Sequence, residues 1–283
     1  MAADENPLQA LGGFPPTDFL FAFVGGLYVT ALVFPSIMFP ISRMVADAAA
    51  LYVSFLVLVF TLTAVSGWAL SEVDGIAQRI GATSLVWLLA VVPAGWITGT
   101  YGASSVGFQL PTIMAPLSVF STAFGMFLGI ALVGMSRTRY TKHLVDADDI
   151  EFEWEARWPS RWRRVATAVS ILAFSVSAIG TIAAIGFGIE RAWGLYYLMF
   201  TAIPLMFMLN PRTFQVTPFG LVIGHQLQRQ IRPWSACSGY SLTADAFVIH
   251  TASVWRPDHR CDRSEIEQLD TLEAEIGRYL PAR

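Results

Sequence analysis

The residues best equipped for chemistry in this sequence lie near its C-terminus. His225, Cys237, His250, His259 and Cys261 all fall within residues 211–283, and no cysteine lies elsewhere. Zinc takes four Cys or His ligands in tetrahedral geometry. The paired C-x2-C spacing of such sites is absent, and only His259 and Cys261 are close in sequence. These groups therefore read as strand histidines and free thiols, and no metal or other cofactor is assigned. A second cluster is Asp146, Asp148, Asp149, Glu151, Glu153 and Glu155. Its DADD core lacks the glycine and the closing glutamate of an EF-hand loop. A solvated charge block is expected there in place of a calcium site. No Gly-x-Ser-x-Gly elbow or phosphate-binding loop is present. No catalytic residue follows from these patterns, and a membrane enzyme is the least supported function class.

The elements that must position these residues are dominated by apolar runs. Of 283 residues, 54% are hydrophobic and 14% charged, against about 25% charged in soluble domains. A bilayer core needs roughly 20 consecutive apolar residues per helix. Six runs meet that need, near 19–41, 49–70, 82–103, 110–135, 165–189 and 192–210. The first is too long for a signal-peptide core and no Lys or Arg precedes it, so it is expected to persist as a span. The expected fold class is a polytopic α-helical membrane protein. Six transmembrane helices occupy 1–210, and a small α+β domain occupies 211–283.

Orientation follows from the loop charges. The loop 136–164 carries Arg137, Arg139, Lys142, Arg157, Arg161, Arg163 and Arg164. Arg79 lies between the second and third runs, and the remaining inter-helix loops hold only Arg43 and Arg191. Positive residues favour the cytoplasmic side. The long loop and both termini are therefore expected in the cytoplasm of a cell-membrane protein. Cys237 and Cys261 are then free thiols by default. The net charge of −3 gives no reason to propose a nucleic acid partner.

Within the runs, no Asp, Glu, His, Lys or Arg stands away from the ends. That argues against a proton relay and against intramembrane hydrolysis by carboxylates or a metal. A path lined by Ser, Thr and backbone carbonyls stays open. Gly125 and Gly129 form a GxxxG, and Gly180, Ala184 and Gly188 recur at four-residue steps. Small residues so spaced let helices approach closely. Packing within one bundle is expected, with self-association into a homo-oligomer as the alternative. Pro35, Pro40, Pro93 and Pro204 are expected to mark kinks or helix ends, the alternative being a substrate site at a broken helix.

In the long loop, Trp154, Trp158 and Trp162 recur every four residues. A helix would show them on one side. With Arg161, Arg163 and Arg164 they read as an anchor at the headgroup level of the bilayer. Pro159 interrupts such a helix unless it sits in a first turn.

The last quarter of the chain changes character. In FQVTPFGLVI (214–223), Phe214 and Val216 alternate with polar residues, Pro218-Phe219-Gly220 is a turn, and Leu221 to Ile223 return. Further strands are expected near 230–233, 238–242 and 247–251, with a short one at 254–256. Asp262 and Glu265 have capping-box spacing ahead of a helix whose Ile266, Leu269, Leu272, Ile276 and Leu280 share a face. Phe214, Val216, Leu221, Ile223, Trp234, Phe247, Ile249, Leu269, Leu272 and Ile276 are the expected core.

The order Phe214-x-Val216-Thr217, Gly220-Leu221-x-Ile223, then Trp234 and a terminal helix resembles the prokaryotic pleckstrin-homology-like domains. The resemblance covers the C-terminal quarter only. It implies a module that binds proteins or lipid head groups, often fused to membrane helices. A full version has seven strands, more than 213–261 can supply. The function expected is a membrane-anchored scaffold or regulator that presents this domain to a protein partner at the cytoplasmic face. The alternative is a small-solute transporter with a regulatory tail.

Overall fold

A computed structural model describes residues 18–187, 209–225, 228–253 and 256–283. The chain divides into two compact units, Met1–Leu144 and Val145–Arg283. Among the described residues, five helical segments are long and apolar enough to cross a membrane: Phe19–Met44, Ala48–Ser71, Ser84–Ser105, Met114–Leu144 and Ser160–Ala184. Gly188 of the fifth run lies outside the described residues, as does the expected sixth run with Pro204, apart from that run's last two positions.

The first unit is helical. Helix α1 (Phe19–Met44) starts at Asp18, whose carboxylate accepts the Phe21 N–H at 2.9 Å. Helix α2 (Ala48–Ser71) starts in the same way at Asp47, which accepts the Ala50 N–H at 2.7 Å. Such caps satisfy donors that the first helical turn leaves unpaired. The two helices cross where Gly26 faces Gly67, and Thr30 meets Thr63 across the crossing, oxygen to oxygen, at 3.0 Å. After a short helix α3 (Ile76–Ala82), the run Ser84–Ser105 is segmented. A 3-10 turn leads into α4 (Leu88–Val91), a second 3-10 turn contains Pro93, and α5 (Gly95–Ser105) follows. Proline removes a helix donor, which accounts for the break. Helix α6 (Met114–Leu144) packs against this break. A Cβ on Gly125 would lie 2.9 Å from the Pro93 side chain, and one on Gly129 would lie 2.0 Å from the Leu89 carbonyl oxygen. Thr122 donates its hydroxyl to the Pro93 carbonyl at 2.9 Å. The GxxxG pair is thus a contact inside this unit.

Among its described residues the second unit has seven strands. Strands β1 (Phe152–Ala156), β2 (Arg212–Thr217), β3 (Gly220–His225) and β4 (Gln228–Arg232) form one antiparallel sheet in that order. Strands β5 (Cys237–Leu242), β6 (Ala246–Thr251) and β7 (His259–Asp262) form a second. Helix α7 (Ser160–Phe187) leaves just after β1, and helix α8 (Leu269–Gly277) closes the chain. The β2–β3 turn follows the sequence pattern. Gly220 has φ of 150°, and a Cβ there would lie 2.2 Å from the Arg232 carbonyl oxygen, so glycine is needed.

Three expectations are corrected here. The second unit begins at Val145 and not at 211, because β1 pairs with β2 along its whole length, from Phe152↔Val216 to Ala156↔Arg212. The tryptophans do not share a helix. Trp154 lies in β1, Trp158 in the link, and Trp162 in α7. Phe-Glu-Trp-Glu-Ala alternates with period two, and Pro159 disfavours helix at Trp158. The terminal helix begins at Leu269. Asp262 instead caps a 3-10 turn, accepting the Ser264 N–H at 3.2 Å. The last strand is β7; residues 254 and 255 of the expected 254–256 strand lie outside the described residues.

Candidate functional site

The core of the second unit gathers Trp154, Phe214, Val216, Leu221, Ile223, Phe247, Ile249, Leu272 and Ile276, with Trp234 and Leu269 packed at its margin. Trp154 stacks on Phe214 with ring centroids 5.1 Å apart. Trp154 is therefore a core residue. Trp158 meets the Arg212 guanidinium at 5.9 Å, and Trp162, Arg161 and Arg164 are exposed on the first turns of α7. Gly180 and Ala184 are buried on the same helix.

Arg163 ties α7 to the strands. Its guanidinium donates to Glu265 at 2.9 Å and to Asp262 at 3.3 Å. The Glu265 carboxylate also accepts the Arg157 N–H at 2.7 Å, and the Asp262 N–H donates to the Arg157 carbonyl at 2.8 Å. Beside this junction a groove of about 270 Å³ runs between β1 and residues 265–268, lined by Glu153, Trp154, Glu155, Ile266 and Glu267 among others. Strand β1 has one sheet neighbour, and among the described residues no backbone hydrogen bond meets its outer edge. By contrast the edge of β5 is covered: Tyr240 donates to the Pro281 carbonyl, and Arg283 donates back to Tyr240.

Four of the five Cys and His residues have described side chains, and these divide between the two sides of the strands. Cys237, His259 and Cys261 are buried. Burial pushes the Cys261 thiol up to about 12 and raises Cys237 as well. Burial, then Arg232 and Arg212, press His259 down to about 4. His250 lies on the opposite side. Its Nε2 is 2.8 Å from the Ser241 hydroxyl, and its Nδ1 is 3.0 Å from Asp258. Asp258 in turn accepts the Thr251 N–H at 3.0 Å. Sequence patterns miss this trio because its members follow no motif. The hairpin register would have found it: Ser241 pairs with Val248, so His250 is its diagonal neighbour on one face. The side chain of His225 lies outside the described residues. In the acidic block, Asp149 accepts the Asp146 N–H at 2.9 Å, and the two cap each other around a 3-10 turn.

No protein-family model and no curated protein matches the chain.

Proposed function

We propose that this protein is a membrane-embedded scaffold or regulator, and that Val145–Arg283 is a pleckstrin-homology-like domain split by inserted membrane helices. Seven strands in sheets of four and three, followed by a terminal helix, support the resemblance. The missing strand comes from ahead of the inserted helix. The observation that carries the reading is the pairing of β1 with β2. Helix α7 has 28 residues and is about 42 Å long at 1.5 Å per residue. The chain is nevertheless back beside Ala156 when β2 begins at Arg212. This return supports an even number of crossings between the two strands. That agrees with six spans, with both termini on the side that holds the Arg-rich loop.

The domain is then held against the membrane by a built-in anchor, and it offers the open edge of β1 to a protein partner. Strand addition at such an edge uses main-chain hydrogen bonds for affinity and side-chain contacts for selectivity. Crosslinking in native membranes tests this, comparing the intact protein with a chain ending at Asn210 and matched for membrane level. Loss of a crosslinked partner on truncation is expected. An unchanged partner set would contradict the proposal. A reporter fused after Arg283 checks the orientation, with activity expected only in the cytoplasm.

A further inference from the structure

We propose that Ser241, His250 and Asp258 form a nucleophilic relay that gives this protein a hydrolytic activity toward small activated carboxylic esters. The three lie on the outer face of the β5–β6–β7 sheet and its β6–β7 connection. The Ser241 Oγ to His250 Nε2 separation of 2.8 Å and the His250 Nδ1 to Asp258 Oδ2 separation of 3.0 Å give the order nucleophile, base, orienter. Such a constellation is recognised by geometry and roles, not by sequence order.

The proton positions follow from donor chemistry. An ionised carboxylate only accepts, so Nδ1 carries the imidazole proton. In the neutral ring the other nitrogen has a lone pair, to which the Ser241 hydroxyl donates. Asp258 is itself fixed by the Thr251 N–H on its second oxygen at 3.0 Å. Burial raises this carboxyl, but the Thr251 N–H, the His250 ring and Arg260 outweigh it and hold it below its ordinary value. Side-chain exposures of 25% for His250 and 31% for Asp258 leave the relay reachable from solvent. Register puts Ser241, Val248 and Arg260 in one row across the three strands. Arg260 is thus a cation on the same face as the nucleophile.

The reaction balances with water as the co-reactant. Ser241 Oγ bonds to the ester carbonyl carbon while its proton moves to His250 Nε2. Collapse of the tetrahedral intermediate breaks the carbon–oxygen bond to the leaving alcohol, which takes that proton. Water then attacks the acyl-serine and gives a proton to Nε2. A second collapse releases the acid and returns the proton to Oγ. Asp258 orients the ring throughout and stabilises the imidazolium each time it forms.

The test uses the purified full chain in detergent. A fluorophosphonate probe is added, the modified residue is located by mass spectrometry, and p-nitrophenyl acetate turnover is followed in parallel. The expected result is a single adduct on Ser241, and turnover that falls at least tenfold in Ser241→Ala and in His250→Gln. Ser241→Ala removes one exposed-face hydroxyl and is expected to unfold at the wild-type midpoint, so its loss of turnover reports chemistry. Absence of a Ser241 adduct, labelling at another residue, or equal turnover by wild type and Ser241→Ala would each overturn the relay. In that case the trio is a hydrogen-bonded brace of the hairpin.

Discussion

Ala156, the last residue of β1, is paired with Arg212, the first residue of β2, although helix α7 leaves the chain between them. Two residues back, Trp154 lies over Phe214 with an angle of 14° between rings. The insertion therefore opens a connection between neighbouring strands and leaves the core around it closed. A segment that reads as a loop between two membrane helices is a structural strand of the C-terminal domain.

Replacing Trp154 by alanine should cost the strand unit about 3–5 kcal/mol, the usual range for emptying a large buried aromatic site. Phe214→Ala should cost a similar amount. The double variant should lose less than the sum, because the two rings share one contact. Near-ultraviolet circular dichroism during denaturation reads this directly. A Trp154→Ala protein with unchanged stability and weakened membrane retention would restore the headgroup-anchor reading.

Arg163 should be needed for docking α7 to the strands. Asp262 is 6% exposed, and with Arg163→Met its carboxylate keeps only its contacts to Ser264. Hydrogen bonds to charged groups contribute about 1.5–3 kcal/mol, so a loss of that size is expected. Arg163→Lys should recover part of it, since an ammonium lacks the planar fork that reaches two carboxylates. Equal stability for the wild type and Arg163→Met would remove this junction from the account.

Stability should fall with acid between pH 6.5 and about 4 through His259, whose folded value is depressed to about 4 from 6.5. Above pH 6.5 the ring is neutral in both states and contributes nothing. Below it the unfolded chain takes up a proton that the folded chain refuses, so the unfolded state gains. The full loss is on the order of 3 kcal/mol. Unfolding curves for wild type and His259→Gln, compared across this window, should differ by that slope. Parallel curves would show that His259 is protonated freely in the folded protein.

In the first unit, Gly129→Val should lower the unfolding midpoint in detergent. A Cβ there would meet the Leu89 carbonyl oxygen at 2.0 Å, so the helices must separate. Overpacking of this kind costs about 1–3 kcal/mol or more. Gly99→Val is the control, because nothing lies within 4 Å of a Cβ at that position. A similar drop in both variants would point to helix propensity and not to the α4–α6 contact.

The sequence makes the long apolar helices legible, since roughly 20 residues without charge leave few other folds. The 214–223 hairpin is legible for a local reason. Its alternation and its turn residues sit side by side. Strand β1 is not legible. Its partner lies beyond a membrane-length helix, so no local pattern pairs it, and tryptophans spaced by four imitate a helix face. The helix start fails similarly. Asp262 and Glu265 have capping-box spacing, but Glu265 turns to the Arg157 N–H and the Arg163 guanidinium instead. The Ser241 relay requires strand register, which spacing in sequence does not reveal.

The most direct test of the split domain is a comparison of two soluble fragments. One holds residues 211–283. The other joins residues 145–158 to 211–283 through a short Gly-Ser linker in place of residues 159–210. The joined fragment should show mixed strand and helix by circular dichroism and unfold cooperatively, because β1 restores Trp154 to the core. The shorter fragment should unfold at a much lower midpoint or lack a transition. Equal midpoints for the two would contradict the account, since β1 would then be no part of the domain.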